Sequence, residues 1–192
     1  NGDSFFEVSV SEPMYCIIGG YQANYHTKPE THEHFIGAKE GGNIAILGGC
    51  GPMGLGAVSY ALAMEKKPKM IVVTEIDQDR LDRARQVISE KEAEEKGIEL
   101  RYVNTACMKD EAEELMALTG GEGYHDVFVY APVQQIAETG NRILAFDGCM
   151  NLFAGPADSG FSADMNLYDC HYRNTKIVGS SGGIKADLLE AL

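Results

Sequence analysis

The sequence predicts an α/β domain built on a doubly wound six-stranded parallel sheet with helices on both faces, and three observations carry that prediction. From residue 43 onward, short apolar runs alternate with helical stretches. The first of these runs ends in a glycine-rich turn that opens a helix, and the second ends in an acidic residue. Strands that alternate with helices are joined by long crossovers, which is how parallel neighbours are connected.

The elements follow in chain order. Ser11 to His26 carries Met14, Ile17, Ile18, Tyr21 and Tyr25 close to helical spacing. Ser11 or Glu12 is placed to cap and Pro13 suits a first turn, so a helix is expected there. Thr27 to Gly42 is polar and contains Pro29, His32, His34 and the pair Gly41-Gly42. It reads as a connecting loop with room for one turn of helix. Residues 1–42 are therefore a connecting helix and loop, and residues 43–192 the sheet domain. Asn43 to Leu47 is the first strand, and Met53 to Met64 a helix of small residues. Met70 to Thr74 is the second strand, followed by a long charged helix from about Gln78 to Lys96. Leu100 to Val103 is the third strand, and Asp110 to Leu118 a helix that Gly120 and Gly121 can terminate. Asp126 to Tyr130 is the fourth strand, and a helix is expected from Val133 to Ala145. Cys149 to Phe153 and Lys176 to Val178 complete the six, and a last helix begins near Lys185 and runs to Leu192. Two halves of three strands make the doubly wound topology the most economical.

With 192 residues, 44% of them hydrophobic, the chain can bury a substantial core. A net charge of −13 repels a polyphosphate backbone, so nucleic acid is not an expected partner. No apolar run reaches the roughly 20 residues of a membrane helix, and the opening Asn1-Gly2-Asp3 lacks the basic and apolar regions of a signal peptide. A cytoplasmic protein without membrane contact is expected. The chain opens without Met and reads as a segment of a longer protein. Cys16, Cys50, Cys107, Cys149 and Cys170 are widely spread with no Cys-x-x-Cys pair, which argues for reduced core residues rather than a disulfide framework or a zinc knuckle.

The chemistry concentrates between the first strand and its helix, at Gly49-Cys50-Gly51-Pro52-Met53-Gly54. In this pattern Gly49 permits the tight turn, Gly51 leaves room for a backbone to approach a pyrophosphate, and Gly54 lets the helix lie close to the sheet. Free amides of the first helical turn, around Met53 to Leu55, face the phosphates with the positive end of the helix dipole, while Pro52 fixes the turn without a donor. An acidic residue is expected at the tip of the second strand to accept hydrogen bonds from ribose hydroxyls, and Glu75 stands there. A carboxylate at that point repels a 2′-phosphate, which favours NAD. Arg80, one turn further on, can reach the adenosine ribose or neutralise a 2′-phosphate, which keeps NADP open. Asp77 suits an N-cap better than a ligand contact. Ligands of such sheets lie outside the carboxyl ends of the strands. The remaining cofactor surface is therefore expected at Ala131-Pro132, at Ala154-Gly155 and in the loop that carries Ser180 and Ser181. This is the pattern of a Rossmann-type dinucleotide-binding domain.

With these residues in place, the sequence resembles the cofactor domain of the zinc-dependent medium-chain alcohol and polyol dehydrogenases. The matching stretches are Ser11-Glu12-Pro13-Met14, the glycine turn through Gly54, Val73-Thr74-Glu75-Ile76-Asp77 with Arg80, and Ile177-Val178-Gly179-Ser180. The long polar insertion before the turn narrows the likeness to the sorbitol dehydrogenase and L-sorbose-1-phosphate reductase branch. The resemblance implies hydride transfer between a carbinol carbon and the nicotinamide, with Zn²⁺ polarising the substrate oxygen. It also implies a separate catalytic domain that holds most of the metal ligands, and a homo-oligomer in the full-length enzyme. Glu12, beside a helix-opening Pro, is the one residue that the resemblance places near the metal or its water. No Cys with a downstream His-Glu pair precedes the domain, and no four-cysteine zinc lobe is present, so no catalytic residue is expected in this chain and by itself it is expected to be inactive.

Other readings remain at this point. Thr31-His32-Glu33-His34 alternates in a polar loop and does not converge as zinc-helix spacing does, so a surface loop is expected. Asp169-Cys170-His171 is expected to be structural or interface material. A non-catalytic NAD-sensing domain would use the same glycine turn, and a methyltransferase that uses S-adenosylmethionine shares a glycine-rich first loop and an acid after the second strand.

Overall fold

A computed structural model describes residues 2–28 and 30–191. Pro29, assigned to the loop, and Leu192, assigned to the end of the last helix, lie outside the described residues. The six expected strands are β3 (Asn43–Leu47), β4 (Met70–Glu75), β5 (Glu99–Asn104), β6 (Tyr124–Val129), β7 (Leu144–Leu152) and β8 (Lys176–Gly179). They form one sheet in the order β5-β4-β3-β6-β7-β8, with every pairing parallel. The order reverses between β3 and β6, which opens a crevice at the carboxyl ends of those two strands.

The side chains of β3 divide the core into two layers. Ile44 and Ile46 point to one face, and Ala45 and Leu47 to the other. The period-2 alternation of a strand sends neighbours to opposite faces, and here both faces are covered, so β3, β4 and β6 are buried along their whole lengths. The first face is roofed by α1 (Gly2–Ala23), α2 (Pro52–Ala63), α3 (Gln78–Val87) and α4 (Glu90–Glu95), through Ile17, Leu55, Leu81 and Ala93 among others. The second is roofed by α5 (Glu111–Leu118) and α6 (Gln134–Arg142), through Ala112, Leu115 and Ile136. No helix among the described residues is long and apolar enough to cross a membrane.

Five local departures from the sequence-based expectations have physical causes. Helix α1 starts at Gly2 rather than Ser11 and stops at Ala23 rather than His26, and Pro13 lies inside it. The ring's φ is compatible with a helix while its missing N–H removes one ladder bond, so the helix runs through Pro13 at a cost in stability. The polar segment after α1 is no plain loop with a helical turn. It contains an antiparallel pair, β1 (Tyr25–Thr27) with β2 (His34–Ile36), on which Tyr25 and His34 stack at 4.8 Å. The long charged helix is broken into α3 and α4, because Ile88 turns into the core in an extended conformation and Ser89 caps a new helix by accepting a hydrogen bond from Glu92 N. The Ser89-x-x-Glu92 spacing is a capping-box signal. Strand β7 begins at Leu144 and bulges. Tyr124 pairs with Leu144 while Asp126 pairs with Cys149, so residues 145–148 loop out, with Asp147 at φ 61°. Helix α7 (Leu167–Tyr172), capped by the Asn166 side chain, forms where no element was predicted, and α8 (Lys185–Ala191) closes the described chain.

Candidate functional site at the carboxyl rim

The glycine turn joins β3 to α2 at the rim where the strand order reverses. Its left-handed residue is Gly48, at φ 66°, one before the Gly49 to which the motif assigns the tight turn. Gly48 N donates to Thr74 Oγ1 at 3.2 Å and Gly49 N to Thr74 O at 3.0 Å, so the end of β4 braces the turn. Gly49 is needed for space. A β-carbon there would stand 2.5 Å from Ile46 Cγ2 and 2.9 Å from Val73 Cγ1. At Gly54 it would stand 2.2 Å from the Gly49 carbonyl oxygen, which shows how closely the helix approaches the turn.

Gly51 differs from both. It is the N-cap of α2, in an extended conformation with no side-chain cap, and a β-carbon there would approach only Arg80 Nη2, at 3.2 Å. The turn is thus closed by packing at Gly49 and Gly54 and open at Gly51. Pro52 occupies the first helical position, and the first intrahelical bond is Leu55 N to Gly51 O, at 2.9 Å. The amides of Met53 and Gly54 precede that bond, at the positive end of the helix. Cys50 is fully buried, and its thiol is pushed up to about 11 by burial and then by the Glu75 charge, against the opposing arginines. It is a core thiol rather than a nucleophile.

Glu75 is the last residue of β4 and is buried. Its Oε1 accepts from Ile76 N at 3.0 Å. Its Oε2 lies 3.2 Å from Arg80 Nη1 as an ion pair, yet outside hydrogen-bond geometry, and has no hydrogen-bond partner among the described residues. A buried carboxylate oxygen without a donor is costly, and an arriving hydroxyl relieves that cost. Asp77 caps α3 by accepting from Arg80 N at 3.1 Å, which commits its side chain to structure.

The other expected rim residues gather at the same edge of the sheet. Ala131 follows β6, and its β-carbon lies 2.9 Å from where one on Gly48 would stand, so the β3 and β6 turns touch. Pro132 beside it is exposed. Ala154 N bonds to Val129 O at 3.0 Å after β7, and around Gly155 the space is open. Ser180 follows β8 and its Oγ donates to Asn151 Oδ1 at 3.4 Å, while Ser181 is exposed. The sequence reading missed why these loops lie where they do. Helix α1 passes so close that a β-carbon on Gly20 would meet the Phe153 ring at 3.0 Å, and one on Gly19 the Gly182 oxygen at 2.7 Å. Two adjacent glycines inside a helix were the available signal, since they weaken the helix unless a close approach requires them.

The metal expectation has less support. Glu12 lies in the middle of α1, is exposed, and accepts a long contact from Cys16 Sγ at 3.6 Å. It does not open the helix. Among the described residues no three His, Cys, Asp or Glu side chains are placed to hold a metal ion, so these residues do not fit a zinc site. The dinucleotide fits better, because the uncovered main chain at Gly51 and the Glu75 oxygen that lacks a hydrogen bond face the same rim. A concavity of about 560 Å³ between α1, α2 and α8, lined by Met14, Ile18, Tyr60 and Met64, lies away from this rim.

Comparison with known proteins identifies relatives of the chain and solved structures that share its fold. The chain is 48% identical over 192 residues to a mannitol-1-phosphate 5-dehydrogenase of Aliivibrio fischeri, covering all of this chain and 45% of that protein. It is 40% identical over 191 residues to an L-sorbose 1-phosphate reductase of Klebsiella pneumoniae, again covering all of this chain and 45% of the relative. The chain thus spans less than half the length of these relatives. Among solved structures, a 2R,3R-butanediol dehydrogenase from Bacillus subtilis superposes with a TM-score of 0.68 at 19% identity, over 95% of this chain and 45% of that one. A Sinorhizobium meliloti 1021 protein assigned to the zinc-binding dehydrogenases and bound to NADP superposes with a TM-score of 0.69 at 20% identity, over 95% of this chain and 46% of that one. Residues 52–192 match the model of one family, and by that match the chain belongs to the zinc-binding dehydrogenases.

Proposed function

We propose that this chain is the nicotinamide-dinucleotide-binding domain of an oxidoreductase that moves hydride between NAD(P) and an alcohol, polyol or sugar phosphate. The observation that carries the reading is the opening at Gly51, the one glycine of the motif whose missing side chain leaves main chain exposed to an incoming group. The diphosphate lies there against the first turn of α2, and Glu75 Oε2 accepts from the adenosine ribose. Ala131, Pro132, Ala154, Gly155, Ser180 and Ser181 line the half of the crevice that takes the nicotinamide. Glu75 favours NAD, and Arg80 is the residue that admits NADP.

The relatives act on hexitol or ketose phosphates by name, and a phosphorylated polyol is the substrate class we assign. Bound dinucleotide supplies or accepts the hydride. This chain's residues hold it at the diphosphate and ribose, and keep one nicotinamide face on the rim. The zinc that the family name implies has no donor set among the described residues. Glu12 remains a candidate only for an outer contact to such an ion. Alone, the domain binds cofactor without turnover. In the intact protein, a homo-oligomer on this reading, NADH oxidation with fructose or sorbose phosphates, or NAD reduction with mannitol 1-phosphate, tests the assignment. Turnover with phosphorylated but not unphosphorylated polyols is expected, and the absence of any dinucleotide-dependent turnover contradicts the assignment.

A further inference from the structure

A chain of buried polar side chains leads from Asp126 in the middle of β6, through Asn24 and Asn151, toward the proposed cofactor rim. Asp126, in the middle of β6, is fully buried and accepts from Asn24 Nδ2 at 2.7 Å and from Lys39 N at 2.9 Å, with His26 Nε2 at 3.2 Å. A carboxylate only accepts, so Asn24 must present its amino group to it, and Asn24 Oδ1 then faces away. That oxygen accepts from Asn151 Nδ2 at 3.2 Å, and the same Asn151 nitrogen donates to Gly20 O at 2.9 Å. Both amide hydrogens of Asn151 are therefore committed, and its Oδ1 is left to face Ser180. The Ser180 hydroxyl donates to it at 3.4 Å, long for an O–H···O bond, so the hydroxyl is aimed inward but not tightly held. Asn24, Asp126 and Asn151 are all fully buried. With its one hydrogen turned inward, Ser180 shows lone pairs to the crevice.

The side of the crevice follows from the strand order. Glu75 ends β4, on one side of the glycine turn, and Ser180 follows β8, three strands away on the other side. A dinucleotide whose adenosine ribose meets Glu75 and whose diphosphate meets Gly51 extends its nicotinamide half toward β6, β7 and β8. We propose that Asn151 is a positioning residue which, fixed by Asn24 and Asp126, makes Ser180 an obligate hydrogen-bond acceptor for a donor on the nicotinamide half. That donor is the carboxamide amino group or a ribose hydroxyl. The inference rests on the dinucleotide reading above.

The test uses the intact protein with Ser180→Ala, Ser180→Thr, Asn151→Ala and the double alanine variant, titrated with NADH, with reduced 3-acetylpyridine adenine dinucleotide and with ADP. Ser180→Ala and Asn151→Ala each weaken NADH roughly five-fold, the order of one neutral hydrogen bond. The double variant is no weaker than Ser180→Ala, ADP is unaffected, and Ser180→Thr restores NADH binding. The acetylpyridine analogue has no amino group, so loss of sensitivity to Ser180 with it assigns the carboxamide, and retained sensitivity the ribose hydroxyl. An additive double variant, an equal loss for ADP, or no loss for NADH overturns the inference. Asn151→Ala also strands the Gly20 and Asn24 oxygens, so if it does not fold, neutron diffraction from the wild type reads the Ser180 deuteron directly. A deuteron aimed at Asn151 Oδ1 supports the inference, and one aimed into the crevice overturns it. A wild type that binds neither NADH nor ADP defeats the dinucleotide reading itself. Wild-type NADH binding that Ser180→Ala leaves unchanged defeats only this inference.

Discussion

Arg80 and Glu75 face each other across the mouth of the glycine turn, with Nη1 of the arginine 3.2 Å from Oε2 of the glutamate. The other guanidinium nitrogen lies 3.2 Å from where a Gly51 side chain would begin, so the same cation borders both proposed subsites, for ribose and for diphosphate. The carboxylate is buried while the arginine side chain is about half exposed, so the arginine is the partner that can swing. A buried acid repels a 2′-phosphate and a mobile cation attracts one, and the balance sets the preference. Glu75→Gln is expected to weaken NADH roughly ten-fold or more, the scale of a hydrogen bond to a charged group, and to narrow the gap to NADPH. Arg80→Gln is expected to weaken NADPH more than NADH. Fluorescence titration of both variants with both dinucleotides checks this, and equal effects on the two cofactors remove the pair from any role in selection.

The glycines of the motif divide between folding and binding. Gly54→Ala forces a methyl group into the Gly49 main chain, which has nowhere to move, and a loss of about 2 kcal/mol or more is expected. Gly51→Ala meets only the tip of a flexible arginine, and a change within about 1 kcal/mol is expected. Urea denaturation of the two variants measures both values.

His26 gives the fold a pH dependence of definite sign. Its Nδ1 lies 3.0 Å from the Asp147 carbonyl oxygen and its Nε2 3.2 Å from the Asp126 carboxylate, two acceptors that only a doubly protonated ring satisfies together. Burial alone lowers its pKa, but the hydrogen bond and charge of Asp126 and the contacts to Asp147 outweigh burial and raise it. The stabilisation is full below the unfolded-state value of about 6.5 and is lost as pH rises through the higher folded value. Asp147 works in the other direction. Burial raises its pKa, and Lys176, Thr27 N and His26 more than offset this and lower it, so its contribution is present above about 3.9 and is lost as pH falls through the folded value. Denaturation midpoints across the pH range are expected to fall on the alkaline side in the wild type. His26→Gln abolishes that alkaline slope, and a slope unchanged in the variant contradicts the role given to His26.

Helix α1 belongs to the core and is not merely a linker. Tyr21 is fully buried, packs on Phe128 at 4.4 Å between ring centroids and donates its hydroxyl to Ala57 O at 3.0 Å. Tyr21→Ala is expected to cost about 3–5 kcal/mol in one cooperative transition, as truncation of a buried aromatic does. A small loss, or a separate early transition, shows instead that α1 unfolds independently.

These elements also show what the sequence made legible. The strands from Asn43 and Met70 were readable because burial on both faces leaves near-continuous apolar runs, and Gly49, Gly51, Gly54 and Glu75 because the motif ties each to one strand end. The β1–β2 pair was not readable, since three-residue strands in a polar segment carry too short a pattern, and what fixes them is distant in sequence. Asp126 and Asp147 hold His26, Thr27 and Lys39 across about a hundred residues. The positive φ falls at Gly48, one position before the Gly49 that the motif assigns to the tight turn, since the two glycines are chemically identical and only the packing against Ile46 and Val73 tells them apart. Ser89, by contrast, carried a readable cap that a continuous charged pattern obscured.

The proposed seat of the diphosphate is the bare main chain at Gly51, and NADH titration of the wild type beside Gly51→Ala probes that contact. Saturable binding by the wild type is expected, with at least a roughly ten-fold loss in a variant that keeps its urea midpoint, since the added methyl group holds the diphosphate off the helix end. Equal affinity in the two proteins, with both folded, contradicts it.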